Sequence, residues 1–88
     1  MAIKHIKTST GFECEIDDEC IDDMELFDAV ADLEAGNNLA LPKVIAKICG
    51  DNKKALYDHC RLESGRVPTK AIADEVNEIF NALNAKNS

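Results

Sequence analysis

Four cysteines (Cys14, Cys20, Cys49 and Cys60) and two histidines (His5 and His59) are the residues whose chemistry could reach beyond packing. Together they could supply ligands for zinc. Structural zinc sites present their ligands as close pairs on knuckles. Here Cys14 and Cys20 are six residues apart, and no C-x-x-C pair occurs. The bland alternative is four free thiols in a reducing compartment, since cysteine is among the residue types most often buried. A cysteine nucleophile needs a base within reach. His59 and Cys60 are neighbours in sequence, which turns their side chains about 100° apart on a helix. They are therefore not expected to form a dyad with each other.

A second candidate is the acidic run from Asp17 to Glu25, which invites a calcium loop. A loop starting at Asp17 would need an oxygen ligand at its fifth position, a glycine at its sixth and a glutamate at its twelfth. Ile21, Asp22 and Asp28 stand there instead. A solvated helix cap explains these acids better. Gly11, Gly36, Gly50 and Gly65 are dispersed, so no phosphate-binding loop is present. An acyl-carrier role needs a serine in an Asp-Ser-Leu context, and Ser9, Ser64 and Ser88 all lack it. No metal, no cofactor and no catalytic constellation is expected.

The elements that would carry these residues follow from periodicity. One domain spanning 1–88 is expected, mainly α with a small N-terminal β-hairpin, an α+β arrangement of about four helices. The hairpin is placed at about 3–16. Phe12, Cys14 and Ile16 alternate with Glu13 and Glu15, and Thr10-Gly11 makes the turn. A first helix is expected at about 22–35, capped by Asp22 with Glu25 three residues on. Leu26, Val30 and Leu33 form its apolar stripe, joined by Met24 and Phe27. Gly36 and Asn37 are expected to end it in the left-handed region. A second helix at about 39–49 carries Leu41, Val44, Ile45 and Ile48 on one face, with Pro42 in its first turn. A third, at about 51–64, is capped by Asp51, turns Leu56 and Cys60 to the core and sets Tyr57 at its rim. A fourth, at about 68–84, has the stripe Ile72, Val76, Ile79, Phe80 and Leu83, with Asp74, Glu75 and Glu78 on its other face. Residues 84–88 are expected to fray.

The formal net charge of −7 disfavours nucleic acid and anionic membranes as partners. No apolar run approaches the length of a membrane span. Residues 1–7 are basic but lack the apolar stretch of a signal peptide, so a cytoplasmic location is expected.

The order of segments resembles a known family. A hairpin ending "GFECEID" precedes "DDMELFDAVADLEAG". Then come "LALPKVIAKICG", "DNKKALYDHCRLESGRVP" and a helix ending "EVNEIFNAL". Over residues 8–84 this is similar to the small tail assembly chaperones of long-tailed phages and prophages of Gram-positive hosts. The sharpest part is "KALYDHCRLESGRVP", Lys54 to Pro68. The resemblance implies a non-catalytic protein in the bacterial cytoplasm, absent from the mature virion. It would bind the tape-measure protein and help recruit the tail-tube protein. Apart from the resemblance, the free edges of the hairpin offer a route to self-association. Tyr57, Arg61, Arg66, Ile79, Phe80 and Leu83 are the candidate partner-binding residues, because tyrosine and arginine are enriched at hot spots and the fourth stripe is long. The competing expectation is a small acidic regulatory or inhibitory domain that presents carboxylates to a basic surface.

Overall fold

Alternating apolar and charged residues make the first element a two-stranded antiparallel hairpin in the computed structural model, which describes residues 2–85. Strand β1 is Ile3–Lys7 and β2 is Glu13–Asp17, with Ile6 opposite Cys14 and His5 opposite Glu15. Its inner face buries Ile6, Phe12, Cys14 and Ile16. Outside, His5 Nε2 lies 2.8 Å from Glu13. Gly11 adopts φ +92°, which closes the link between the strands at low steric cost.

A 3₁₀ turn at Asp18–Ile21 leads into α1, Met24–Glu34. The cap of α1 is Asp23 and not the expected Asp22: Asp23 Oδ1 accepts from the amides of Glu25 and Leu26. The preceding 3₁₀ turn occupies the residues up to Ile21, which moves the first helical turn one residue on. Leu26 and Ala29 are buried, Val30 and Leu33 are half-buried, and Met24 and Phe27 are exposed. Gly36 terminates the helix at φ +101°, but Asn37 is not left-handed. Its side chain instead accepts from Leu39 N and starts a 3₁₀ turn, Asn38–Ala40.

Helix α2, Leu41–Ile48, has Pro42 in its first turn and buries all four stripe residues, Leu41, Val44, Ile45 and Ile48. It is the centre of the core, packing against both α1 and α4. Lys47 ties its end to the start of α1, 3.1 Å from Asp23 and 2.9 Å from Glu25.

Helix α3 is Lys53–Cys60, four residues shorter at its end than expected. Arg61 is extended, its guanidinium donates to the Gly65 carbonyl at 2.8 Å, and Leu62 N donates to Arg66 O. These bonds fold residues 61–66 into a turn where the sequence alone would continue the helix. Asp51 does not cap α3 either; it sits in a 3₁₀ turn, Gly50–Asn52. Helix α4, Thr69–Ala85, closes the bundle against α2, α3 and β1. Asn84 and Ala85 are still helical; the fraying expected over 86–88 lies outside the described residues. The result is a small α+β bundle of four helices and one hairpin. Among the described residues, no helix is long and apolar enough to cross a membrane.

Candidate protein-binding groove

An apolar groove opens where α2, α3 and α4 meet. Buried Leu41, Ile45 and Ile72 form its floor, and Leu39, Pro42, Tyr57 and Val67 form its walls. Its volume is about 240 Å³. Local structure explains why Leu39 stands out of the fold. The Asn37 side chain holds the Leu39 amide, and the Ala40 amide donates to Asn37 O, so the 3₁₀ turn is fixed while its middle side chain faces solvent. Leu39 is 88% exposed, the highest value among the large apolar residues that the structure describes. An exposed leucine alone means little, but one set at the mouth of an apolar groove makes a contiguous patch. Tyr57 is half-buried, with Lys53 Nζ 5.5 Å from its ring centroid.

The candidate partner-binding residues separate into three groups. Tyr57 lines this groove, and the exposed Arg66 precedes Val67 in the turn that forms one wall. Arg61 is committed to holding that turn, through Gly65 O at 2.8 Å and Asp58 at 3.2 Å. Phe80 lies elsewhere, between α1 and α4, packed edge-to-face on Phe27 at 6.1 Å. Ile79 and Leu83 are fully buried, so they belong to the core and offer no contact surface in this conformation. The long stripe of α4 is used up in closing the bundle, with β1, α2 and α3 packed along the helix. Leu39 was not among the candidates. Its signal is positional: it lies two residues before Leu41, about 200° around a helix from the α2 stripe.

A polar seam joins the hairpin turn to α3 and α4. Thr10 Oγ1 donates to Glu75 Oε2 at 2.7 Å. The same oxygen lies 2.9 Å from His59 Nε2 and 3.1 Å from Thr8 Oγ1. Because the single hydroxyl proton goes to the carboxylate, His59 must donate through Nε2. This order does not activate a nucleophile, since the imidazole gives a proton to the hydroxyl oxygen and does not take one. Glu78 accepts from both Ser9 N and Ser9 Oγ at 2.8 Å. The His59 ring also packs on Phe12, with centroids 5.3 Å apart. Glu75 was expected on the solvent face of α4, yet it is only 3% exposed. Its position, three after Ile72 and four before Ile79, places it within the apolar stripe, and that spacing was the available signal.

The thiols are not poised for chemistry. Cys14 and Cys49 are buried, Cys20 and Cys60 half-buried. Burial, followed by the proximity of Cys14 and Cys20, pushes the Cys49 thiol up to about 12. Burial also raises Cys14, Cys20 and Cys60, with Asp17, Asp18 and Asp23 adding to the effect at Cys20 and Glu75 at Cys60. Reactive or metal-ligating thiols need the opposite shift. Among the described residues, no group of three or more His, Cys, Asp or Glu side chains is placed to hold a metal ion.

No model of a protein family, no curated protein and no solved structure matches this chain.

Proposed function

We propose that this protein is a non-catalytic phage tail assembly chaperone that binds the tape-measure protein. An amphipathic helix of that client would place its apolar side chains in the α2–α3–α4 groove. The observation that carries the reading is the apolar groove with Leu39 held exposed at its mouth. Helix-in-groove recognition needs such a concave apolar strip on one side and i, i+3, i+4 anchors on the other. The sequence resemblance supplies the identity of the client, and recruitment of the tail-tube protein follows from it. An acidic exterior suits a protein that must keep an aggregation-prone client in solution.

The test is co-expression of the tagged protein with the tail genes of its source genome. The expected result is a stable complex with the tape-measure protein that survives moderate salt. Recovery of the domain alone, while the tape-measure protein aggregates, would sink the proposal.

One observation favours a second reading, an acidic regulatory or inhibitory domain. Asp28, Asp32 and Glu34 on α1 are all exposed and form no ion pair among the described residues. Binding through such a face rests on exposed charge and would weaken steeply with added salt.

A further inference from the structure

The hairpin has two edges, and the fold occupies one of them. In an antiparallel pair, residues bonded across the ladder alternate with residues whose amides and carbonyls point away from it. Thr8 N donates to Phe12 O and Asp18 N to Ala2 O, in the same register that sets Ile6 opposite Cys14. Lys4 and Ile6 therefore bond to β2, while Ile3, His5 and Lys7 turn their backbone groups outward. On β2 the outward set is Glu13, Glu15 and Asp17. Asn52 Nδ2 donates to Glu15 O at 3.1 Å, which closes the middle of that edge. Across the molecule from it, no described residue outside β2 bonds to the backbone of Ile3, His5 or Lys7, and all three residues are exposed. The edge of β1 is an open row of donors and acceptors, the kind that pairs with an added strand.

This edge is also basic. Lys4, His5 and Lys7 are three of the five residues of β1, in a chain of net charge −7. Lys4 and Lys7 form no ion pair among the described residues. The strand that β1 already holds shows what suits it: Glu13, Glu15 and Asp17 stand opposite Lys7, His5 and Ile3, and Cys14 and Ile16 alternate with them on the buried face. We propose that the outer edge of β1 docks an extended acidic segment of another protein, added beside it as a third strand. Main-chain bonds to Ile3, His5 and Lys7 supply the affinity, and carboxylates at alternate positions, facing His5 and Lys7, set the choice of partner. A second copy of this chain is the poorer occupant. Its β1 would bring the same three bases to the edge, and its β2 has the Glu15 carbonyl already taken by Asn52. The edge shares no residue with the α2–α3–α4 groove, so the inference stands apart from the tape-measure reading.

The test is amide hydrogen exchange and chemical-shift titration by NMR on the intact protein. The probe is a synthetic peptide, acetylated and amidated, with the sequence of residues 12–17 carrying Cys14→Ser. The control is the same peptide with each acid replaced by lysine. The expected result is saturable shifts at Ile3, His5 and Lys7, with half-saturation at roughly millimolar acidic peptide. Exchange of the His5 and Lys7 amides should slow severalfold, while the amides of Lys4 and Ile6, already bonded to β2, keep their rates. His5→Pro removes an outward amide without touching the ladder to β2, and it should abolish binding. Lys7→Glu, at an exposed position, keeps the test decisive if His5→Pro fails to fold, and it should weaken binding about threefold or more. Four results would overturn the proposal: no added protection at His5 and Lys7, an equal response to the lysine peptide, undiminished binding in whichever of these variants folds, or protection of the same amides that rises with protein concentration when no peptide is present, which would make the occupant a second copy.

Discussion

The polar seam and the apolar groove both use α4 and solve opposite problems. In the seam, Ser9 and Thr10 are bonded to Glu78 and Glu75, residues 69 and 65 positions away in sequence. Those bonds are directional, and they fix how the hairpin sits on the helices. The groove has no such claims on it. Its walls are Leu39, Pro42, Tyr57 and Val67, and among the described residues none covers Leu39, which is 88% exposed. A domain this small has little core to spare. The contrast shows where it spends directional bonding, on docking a hairpin that two strands alone could not hold. It leaves apolar area open at the opposite extreme of polarity, where a partner can gain from covering it.

The comparison breaks most severely if the floor common to the fold is removed. Ile79→Ala, at a fully buried position, should cost about 2–5 kcal/mol in denaturant unfolding and damage both regions together. Thr10→Val attacks the seam alone. It strips Glu75 Oε2 and His59 Nε2 of their partner, and a loss of about 1–3 kcal/mol is expected, with the groove amides unperturbed in the NMR spectrum. Leu39→Asp is the counterpart in the groove. It should change stability by no more than about 0.5 kcal/mol, because the side chain is exposed, while abolishing client capture in a pull-down.

The smallest effect expected is electrostatic and lies outside both regions. Hydrogen bonding to Lys47 holds the Asp23 and Glu25 carboxyls below their ordinary values of 3.8 and 4.5. Folded-state values below the unfolded ones mean that this contribution is present above about pH 4.5 and is lost as pH falls through the lowered values. Glu25 first, then Asp23, raises Lys47 above its ordinary 10.5, so its share is present at neutral pH and is lost as pH rises through the raised value. Lys47→Met should therefore flatten the acid limb of a stability-versus-pH curve and leave the seam and the groove intact.

Much of the fold was legible because it repeats a period. The alternation of Phe12, Cys14 and Ile16 gives the hairpin its inner face, and Leu41, Val44, Ile45 and Ile48 give α2 its buried stripe. The end of α3 was not legible. Residues 61–64 contain no helix breaker, and what stops the helix is a set of bonds from Arg61 and Leu62 to Gly65 and Arg66. The seam was hidden for a related reason, since its partners come from the hairpin turn, α3 and α4, and only the folded chain joins them. Among the groove residues, Tyr57 was readable as a rim residue. Leu39 was masked by a 3₁₀ turn that the helical template does not anticipate.

The most direct test compares capture of the tape-measure protein by the wild-type chain and by Leu39→Asp, each at low salt and at about 0.5 M salt, where exposed charges are largely screened. The account predicts capture by the wild type at both salt concentrations and by Leu39→Asp at neither, with both proteins equally folded. Equal capture by the two proteins, or capture by the wild type that disappears at high salt, would contradict it.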